Sequence, residues 1–332
     1  MKEILNHLFD HKTLSTAEAK EVLKNIAAGK YNISQMAAFV SVYLMRSITV
    51  EELSGFRDAL LELCIPVDLR EFDTIDLCGT GGDGKDTFNI STLSSFVVAG
   101  AGVKVSKHGN YGVSSTCGSS NVLETLGYKF SSDQSKLKHE IEMADICFMH
   151  APLFNPAMKN VAPVRKELGM KTFFNMLGPM VNPCSPGFQM VGVYSLELAR
   201  LYNYLYQQTG RQFVIIHSLD GYDEVSLTGD FKMISNAAEN DISPESLGFI
   251  RLRPEELKGG STVDDSVRIF MDILQGEGTP AQNSIVVVNS GLALQCMFPG
   301  RSLDDCLEMA RESLESGKAM GALQTLLNMQ KA

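Results

Sequence analysis

The sequence contains no apolar run approaching the ~20 residues needed to cross a bilayer, so a membrane-spanning chain is not expected. It is also short of positive charge. Lys and Arg number 29 against 39 Asp and Glu, a net charge of −10. A general polyanion-binding surface needs clustered cations, so nucleic acid is not an expected partner. Any phosphate site must be local, built from loop amides, a few cations and a metal. The cysteines, at 64, 78, 117, 147, 184, 296 and 306, are odd in number, and no two are spaced C-x-x-C. Neither a disulfide framework nor a structural zinc site is suggested, which fits a reducing compartment. The opening MKEILNHLFDHK mixes acidic and basic residues and lacks the apolar stretch and small-residue cleavage site of a secretory signal, so a cytoplasmic location is expected. No internal repeat or low-complexity tract is evident.

What is present is the balance of an ordinary globular protein: 332 residues, 44% hydrophobic and 20% charged, enough for two domains. The first ~65 residues read as helices only. Ser15-Thr16-Ala17-Glu18 and Thr49-Val50-Glu51-Glu52 are capping-box patterns, each ahead of a helical rhythm. After the second, Leu53, Phe56, Leu60 and Leu63 form one stripe for burial. β-rich runs then appear at Thr74–Cys78, Val103–Val105, Phe213–His217 and Ser284–Val288, with helical segments between. That alternation predicts an α/β domain. A proline-rich segment, Pro152 to Pro186, interrupts it. The expected fold is a small N-terminal helical domain plus a large α/β domain with a central, largely parallel sheet.

The strongest local signal is Asp76-Leu77-Cys78-Gly79-Thr80-Gly81-Gly82-Asp83-Gly84, continuing through Lys85-Asp86-Thr87-Phe88-Asn89-Ile90-Ser91-Thr92. A strand runs into four glycines, and a helix opens near Ser91. Glycines let a backbone take positive φ and approach a ligand closely, and amides at a helix start suit a phosphate. Gly79 to Gly84 fits G-x-G-x-x-G, but the helix opens too late for the dinucleotide motif and Lys104 stands where its acid is wanted. Gly79 to Asp86 approaches the P-loop, but Asp86 replaces its magnesium-binding hydroxyl. What remains is a phosphate loop that also carries Asp83, Thr87, Asn89, Ser91 and Thr92, a mixture suited to a sugar diphosphate.

Further segments supply the other parts of a site. The run Val103–Val105 leads to Lys107, a point charge for a phosphate, and to a loop whose Ser114, Ser115 and Ser119 donate hydrogen bonds. Asp223 and Glu224, after the run Phe213–His217, form an acidic pair of the kind magnesium bridges to substrate phosphates. Arg165 offers a forked guanidinium for a carboxylate.

Taken together, DLCGTGGDGKDTFNIST (76–92), KHGNYGVSSTCGSSNVLETLG (107–127), NPAMKNVAPVRKELGMKTFFNMLGPMVNP (155–183) and DGYDEVSLTG (220–229) resemble the anthranilate phosphoribosyltransferase family. That family joins anthranilate to phosphoribosyl pyrophosphate in tryptophan biosynthesis. Weaker likeness continues through the glycines at 259–260 and IVVVNSGLAL (285–294). The resemblance implies a homodimer through a helical domain, residues 1–70 with a returning segment near 165–183. The α/β domain would comprise 71–164 and 184–332. It implies that Gly79, Gly82, Asp83, Thr87, Asn89, Ile90, Ser91, Thr92, Lys107, Ser114, Ser115 and Ser119 hold phosphoribosyl pyrophosphate. Ser91, Asp223 and Glu224 would serve magnesium, two ions per site, while Gly79, Asn110 and Arg165 would receive anthranilate. Tyr111 stands where the family commonly has Arg, Asn155 where it has His, and His150 where an aromatic is usual.

The expected chemistry breaks the bond from ribose C1 to diphosphate while an aromatic amine attacks. Such an amine is neutral at pH 7, so no general base or covalent nucleophile is assigned. Three other readings compete: a pyrimidine nucleoside phosphorylase, a transferase with a different aromatic acceptor, and a non-catalytic paralogue that binds nucleic acid. The acid pair argues against the first, and the net charge of −10 against the last.

Overall fold

The computed structural model describes residues 1–112 and 115–331, which divide into two units. The first comprises Met1–Val67 and Ala151–Ser185. Its opening helices are Lys2–Phe9, Thr16–Ala27, Ile33–Met45 and Val50–Leu63. Both expected capping boxes form: Ser15 with Glu18, and Thr49 with Glu52. Asn32 and Gln35 make a third. Each box satisfies amides that a helix start leaves unpaired. Leu53, Phe56 and Leu60 are buried as the stripe requires, and Phe56 stacks on Phe173 at 4.6 Å between ring centroids. Such a stacked pair adds about 0.5–1.5 kcal/mol beyond burial.

The returning stretch begins earlier than the 165 expected from the resemblance. The backbone explains why: the Ile65 amide donates to the Phe154 carbonyl at 2.8 Å, and Asn160 Nδ2 donates to the Ala27 carbonyl at 2.8 Å. Residues from Ala151 onward are therefore tied to the helices.

The second unit comprises Asp68–His150 and Pro186–Ala332. Among the described residues its strands are β1 (Thr74–Gly79), β2 (Lys104–Gly109), β3 (Ile146–His150), β4 (Phe188–Gly192), β5 (Gln212–Ser218), β6 (Phe231–Ser235) and β7 (Glu239–Ile242). They form one sheet in the order β3-β2-β1-β4-β5-β6-β7. Pairing is parallel from β3 to β5 and antiparallel from β5 to β7. The helices Ile90–Gly100 and Pro280–Met297 bury Leu93, Phe96, Ile285 and Val288 in one cluster with Leu77 and Val105 of the sheet. Each such side chain contributes about 1.5–3 kcal/mol relative to exposure.

One expected strand is corrected. Ser284–Val288 lies inside the helix Pro280–Met297, which has a Thr279–Gln282 capping box and Pro280 in its first turn. The run is apolar because this helix is buried on nearly every side, and periodicity alone does not separate that from a buried strand. Length does, since an 18-residue element exceeds the usual strand. A second correction concerns β2, which runs to Gly109 rather than ending at Val105.

Candidate active site at the C-terminal edge of the sheet

In the parallel part of the sheet, β1 has β2 on one side and β4 on the other, so the connections out of β1 and β4 diverge there. Open α/β sheets take ligands outside the carboxyl ends of their strands at such a switch point. Gly79 and Gly192, the last residues of β1 and β4, are register partners. A Cβ on Gly79 would strike the Asp223 carboxylate, and one on Gly192 would strike the Asp223 carbonyl. These two glycines exist to let the segment after β5 lie across the sheet edge.

That segment meets the glycine loop directly. The Gly81 amide donates to Asp223 Oδ2 at 2.6 Å, and the Ser91 amide donates to Glu224 Oε1 at 2.9 Å. Asn89 occupies the N-cap of the helix Ile90–Gly100 without a side-chain cap, so the Glu224 carboxylate does the capping. The expectation that Ser91's helix-start amide faces a phosphate is thereby modified: a protein carboxylate already engages it.

The acids are out of water and crowded. Burial is the main cause that pushes Asp223 up to about 7, and Asp83, in charge and hydrogen bond, adds to it. Burial likewise raises Glu224 well above the carboxylate range, with Asp223 and Asp83 adding. Such groups are relieved by a cation. Among the described residues no group of three or more His, Cys, Asp or Glu is placed to hold a metal ion; magnesium commonly takes only one or two carboxylates and completes its shell from water and substrate phosphate. The donor set therefore fits a hard divalent ion.

Lys107 is placed differently from the expectation. It lies within β2 rather than beyond it, is 2% exposed, and donates from Nζ to the Leu77 carbonyl at 2.6 Å. Burial pulls its pKa down, while Asp76, Cys78 and Glu224 pull it up. Its charge faces the sheet edge from within. The Ile90 side chain is in the core, and its amide donates to the Phe88 carbonyl at 2.6 Å.

The rest of the predicted phosphate site surrounds the loop. Gly82 takes φ 79. Asp83 Oδ1 accepts from the Lys85 amide at 3.1 Å. Thr87 bridges to Lys258, and Asn89 Nδ2 reaches the Cys117 carbonyl at 3.1 Å. Thr92 is buried. Ser115 is exposed, and Ser119 donates from Oγ to the Asn110 carbonyl at 3.3 Å. Ser114 lies outside the described residues.

Two residues escaped the sequence reading. Asp86, at φ 53, accepts from the Thr116 amide at 3.0 Å and joins the glycine loop to the loop after β2. Lys85 donates to the Asp220 carbonyl at 2.8 Å and sits 4.5 Å above the Tyr222 ring, clipping the glycine loop to the acid-bearing segment. An aspartate just after a glycine-rich run, a residue type that tolerates the left-handed region, was the available signal for the first; nothing local marks the second.

The expected acceptor residues belong to different units. Asn110, exposed, follows β2. Beside it, His150 is the register partner of Gly109. The His150 Nδ1 is 2.9 Å from Ser120 Oγ, and its ring stacks on Phe130 at 4.5 Å and meets Tyr111 edge-on at 4.7 Å. Burial lowers its pKa, favouring the neutral imidazole. In the helical unit, Arg165 is half-buried, donates to Asn175 Oδ1 at 3.3 Å, and makes no ion pair among the described residues. Burial pulls its pKa down. A half-buried guanidinium without a carboxylate is suited to receive one.

The fold and this edge define an α/β transferase preceded by a helical bundle. Family models agree: glycosyl transferase family, a/b domain, matches residues 71–320, and glycosyl transferase family, helical bundle domain, matches residues 2–64. A curated relative from Christiangramia forsetii, named anthranilate phosphoribosyltransferase, is 60% identical over 98% of each chain. The crystal structure of anthranilate phosphoribosyltransferase from Thermus thermophilus matches with a TM-score of 0.91 at 31% identity, covering 99% of both chains. The Saccharomyces cerevisiae enzyme in complex with PRPP and Mg matches with a TM-score of 0.88 at 25% identity, over 96% of this chain and 94% of that one. The chain belongs to the glycosyl transferase family, and within it to the anthranilate phosphoribosyltransferases.

Proposed function

We propose that the chain transfers the phosphoribosyl group of phosphoribosyl pyrophosphate to the amine of anthranilate and releases diphosphate. The observation that carries this reading is the pair Asp223–Glu224, held by the Gly81 and Ser91 amides at the switch point and raised in pKa by burial and by the crowding of carboxylates. Relatives of the same name across the whole chain, and a related structure with PRPP and Mg, support it.

Asp223 and Glu224 would hold magnesium with the Ser91 hydroxyl, and Asp83, which crowds Asp223, would serve the phosphoribosyl donor beside them. Two ions would be used, as the resemblance to the family implies. When bound, magnesium supplies electrostatic relief to the charge that develops on departing diphosphate. The chain's own contribution is positional. The positive-φ turn at Gly81 and Gly82 brings backbone close to the donor. Thr87, Asn89, Thr92, Ser115 and Ser119 supply hydrogen-bonding groups around it, and Ser114 belongs to the same set. Lys107 acts from inside the sheet as a fixed positive charge.

Arg165 would hold the anthranilate carboxylate and Asn110 would orient its ring, with Gly79 leaving room for both substrates. His150 partly takes the place of the family histidine that Asn155 replaces. The amine is neutral at pH 7, so no general base is needed. Tyr111 and Asn155, which depart from the family pattern, favour a second reading in which a different aromatic acceptor is used. Exposed Phe9, Ile33 and Met45 on the helical unit support self-association into a homodimer. No helix among the described residues is long and apolar enough to cross a membrane, and a cytoplasmic location suits this chemistry.

Loss of anthranilate fluorescence on mixing with phosphoribosyl pyrophosphate tests the reading, with and without magnesium. No consumption in the presence of magnesium overturns it. Consumption of another aromatic amine in preference to anthranilate establishes the second reading instead.

A further inference from the structure

We infer that Asn289, in the middle of the helix Pro280–Met297, is a positioning residue that aims the carboxylate pair by holding the backbone of the turn behind it. The inference rests on the reading of Asp223 and Glu224 as the acids that hold magnesium.

Asn289 is 2% exposed. Its Oδ1 accepts from the Val225 amide at 3.1 Å, while its Nδ2 donates to the Val225 carbonyl at 2.9 Å and to the Ile285 carbonyl at 2.9 Å. One side-chain amide thus engages both backbone groups of Val225, as a neighbouring strand would. A neighbouring strand is what Val225 lacks. Between β5 and β6 the chain forms neither helix nor strand, yet Val225 is fully buried. Buried backbone groups require partners, because water cannot reach them.

The surroundings show how much this turn must be held. Ser218 Oγ donates to the Glu224 carbonyl at 2.6 Å. Leu227, two residues on, is in the left-handed region at φ 59, a conformation that persists only where its surroundings enforce it. From this turn Asp223 reaches Gly81 and Glu224 reaches Ser91. Asn289 also lines, with Ser91, Ser94, Asp223 and Glu224, a small cavity of about 10 Å³. It touches the acids' backbone neighbour rather than any reacting atom.

The residue type follows from the geometry. An aspartate would offer no donor to the Val225 carbonyl when ionised, and a leucine would offer nothing to either backbone group of Val225. Asparagine is a poor helix former, and the neighbouring residues Ile285–Val288 and Leu292–Leu294 are apolar and buried. A lone amide there is accounted for by the turn it reads.

The test uses the full chain and two readouts: binding of Mn²⁺ in the presence of inorganic diphosphate, followed by electron paramagnetic resonance, and the magnesium concentration for half-maximal activity. Asn289→Ala is expected to weaken Mn²⁺ binding by about 10–100-fold, the size seen when partners that orient metal ligands are removed. The magnesium requirement should rise in parallel, with the KM for anthranilate unchanged. Leu292→Ala, in the core of the same helix, should lower the melting temperature and leave Mn²⁺ binding intact. If Asn289→Ala does not yield folded protein, Asn289→Ser takes its place, since a hydroxyl cannot span both groups of Val225, and a clear loss is still expected. Wild-type Mn²⁺ affinity in the folded Asn289 variant overturns the inference alone. Failure of the wild-type chain to bind Mn²⁺ with diphosphate overturns the reading of the acid pair and the inference with it.

Discussion

Two buried carboxylate sites, one in each unit, show how the same group becomes scaffold or machinery. In the helical unit, Glu52 is wholly buried and surrounded by donors. Oε1 accepts from the Leu14 amide at 3.0 Å, the Tyr43 hydroxyl at 3.2 Å and Arg46 Nη2 at 2.6 Å; Oε2 accepts from Arg46 Nη1 at 2.9 Å and the Thr49 amide at 3.1 Å. Burial alone would raise its pKa, but Arg46 and the two amides outweigh it and hold the group below the usual range. At the sheet edge, Asp223 and Glu224 have amides but no guanidinium, and the pull of Lys107 on Glu224 does not offset burial. Burial and mutual repulsion win there. A carboxylate that carries its own cation is structure; a pair that lacks one is a place for a cation to bind.

The largest expected effect comes from removing the sheet-edge charges. Asp223→Asn with Glu224→Gln should lower kcat at least about 10²–10³-fold and abolish magnesium activation, while the metal-free protein melts no lower than wild type. Normal magnesium activation in that variant would break the comparison at its functional end. Glu52→Gln should do the reverse. It strands Arg46 beside a neutral partner, so unfolding by denaturant should reveal a loss of about 3–5 kcal/mol, with the specific activity of the folded fraction retained. An unchanged midpoint would break the comparison at its structural end.

Next in size is Arg165→Ala, which removes a half-buried guanidinium that makes no ion pair among the described residues. A charge-assisted hydrogen bond is worth about 1.5–3 kcal/mol, so anthranilate KM should rise roughly ten- to a hundredfold, with the KM for the phosphoribosyl donor little changed. An unchanged anthranilate KM removes Arg165 from the site.

The smallest effect is in the pH dependence of stability, and it sharpens the contrast because the two sites act with opposite sign. The lowered pKa of Glu52 means a stabilisation present above the unfolded value of about 4.3 and lost as pH falls through the native value. Asp223 has a raised pKa, so its contribution is present below the unfolded value of about 3.9 and lost as pH rises through about 7. The melting temperature of metal-free protein should therefore decline between about pH 4 and about pH 7, and the Asp223→Asn, Glu224→Gln variant should lack that decline. A decline of equal size in both proteins would show that other groups cause it.

Much of this was legible in the chain. The capping boxes at Ser15 and Thr49 form as read, because they depend only on residues three apart. The strand leading into Gly79 and the run before Asp223 are β1 and β5, because parallel strands buried on both faces read as apolar runs. Other features were not legible. Ser284–Val288 has the composition of a strand but lies in a helix, since a helix buried all round has lost the polar face that betrays its period. Lys107 read as a loop cation, and only the extension of β2 to Gly109 turns it into the sheet.

By itself, the sequence determined the local chemistry: the caps, the glycine-rich backbone that can take positive φ, and the residue types suited to a diphosphate, a metal and a carboxylate. Tertiary structure decided which of these meet. It laid the segment after β5 across Gly79 and Gly192, set Glu224 on the Ser91 amide and turned Asn289 onto Val225. The reason is physical. Conformational preference acts over a few residues, whereas burial of a charge and the pairing of a backbone group depend on atoms brought together from more than a hundred positions away in the chain, as Gly81 and Asp223 are.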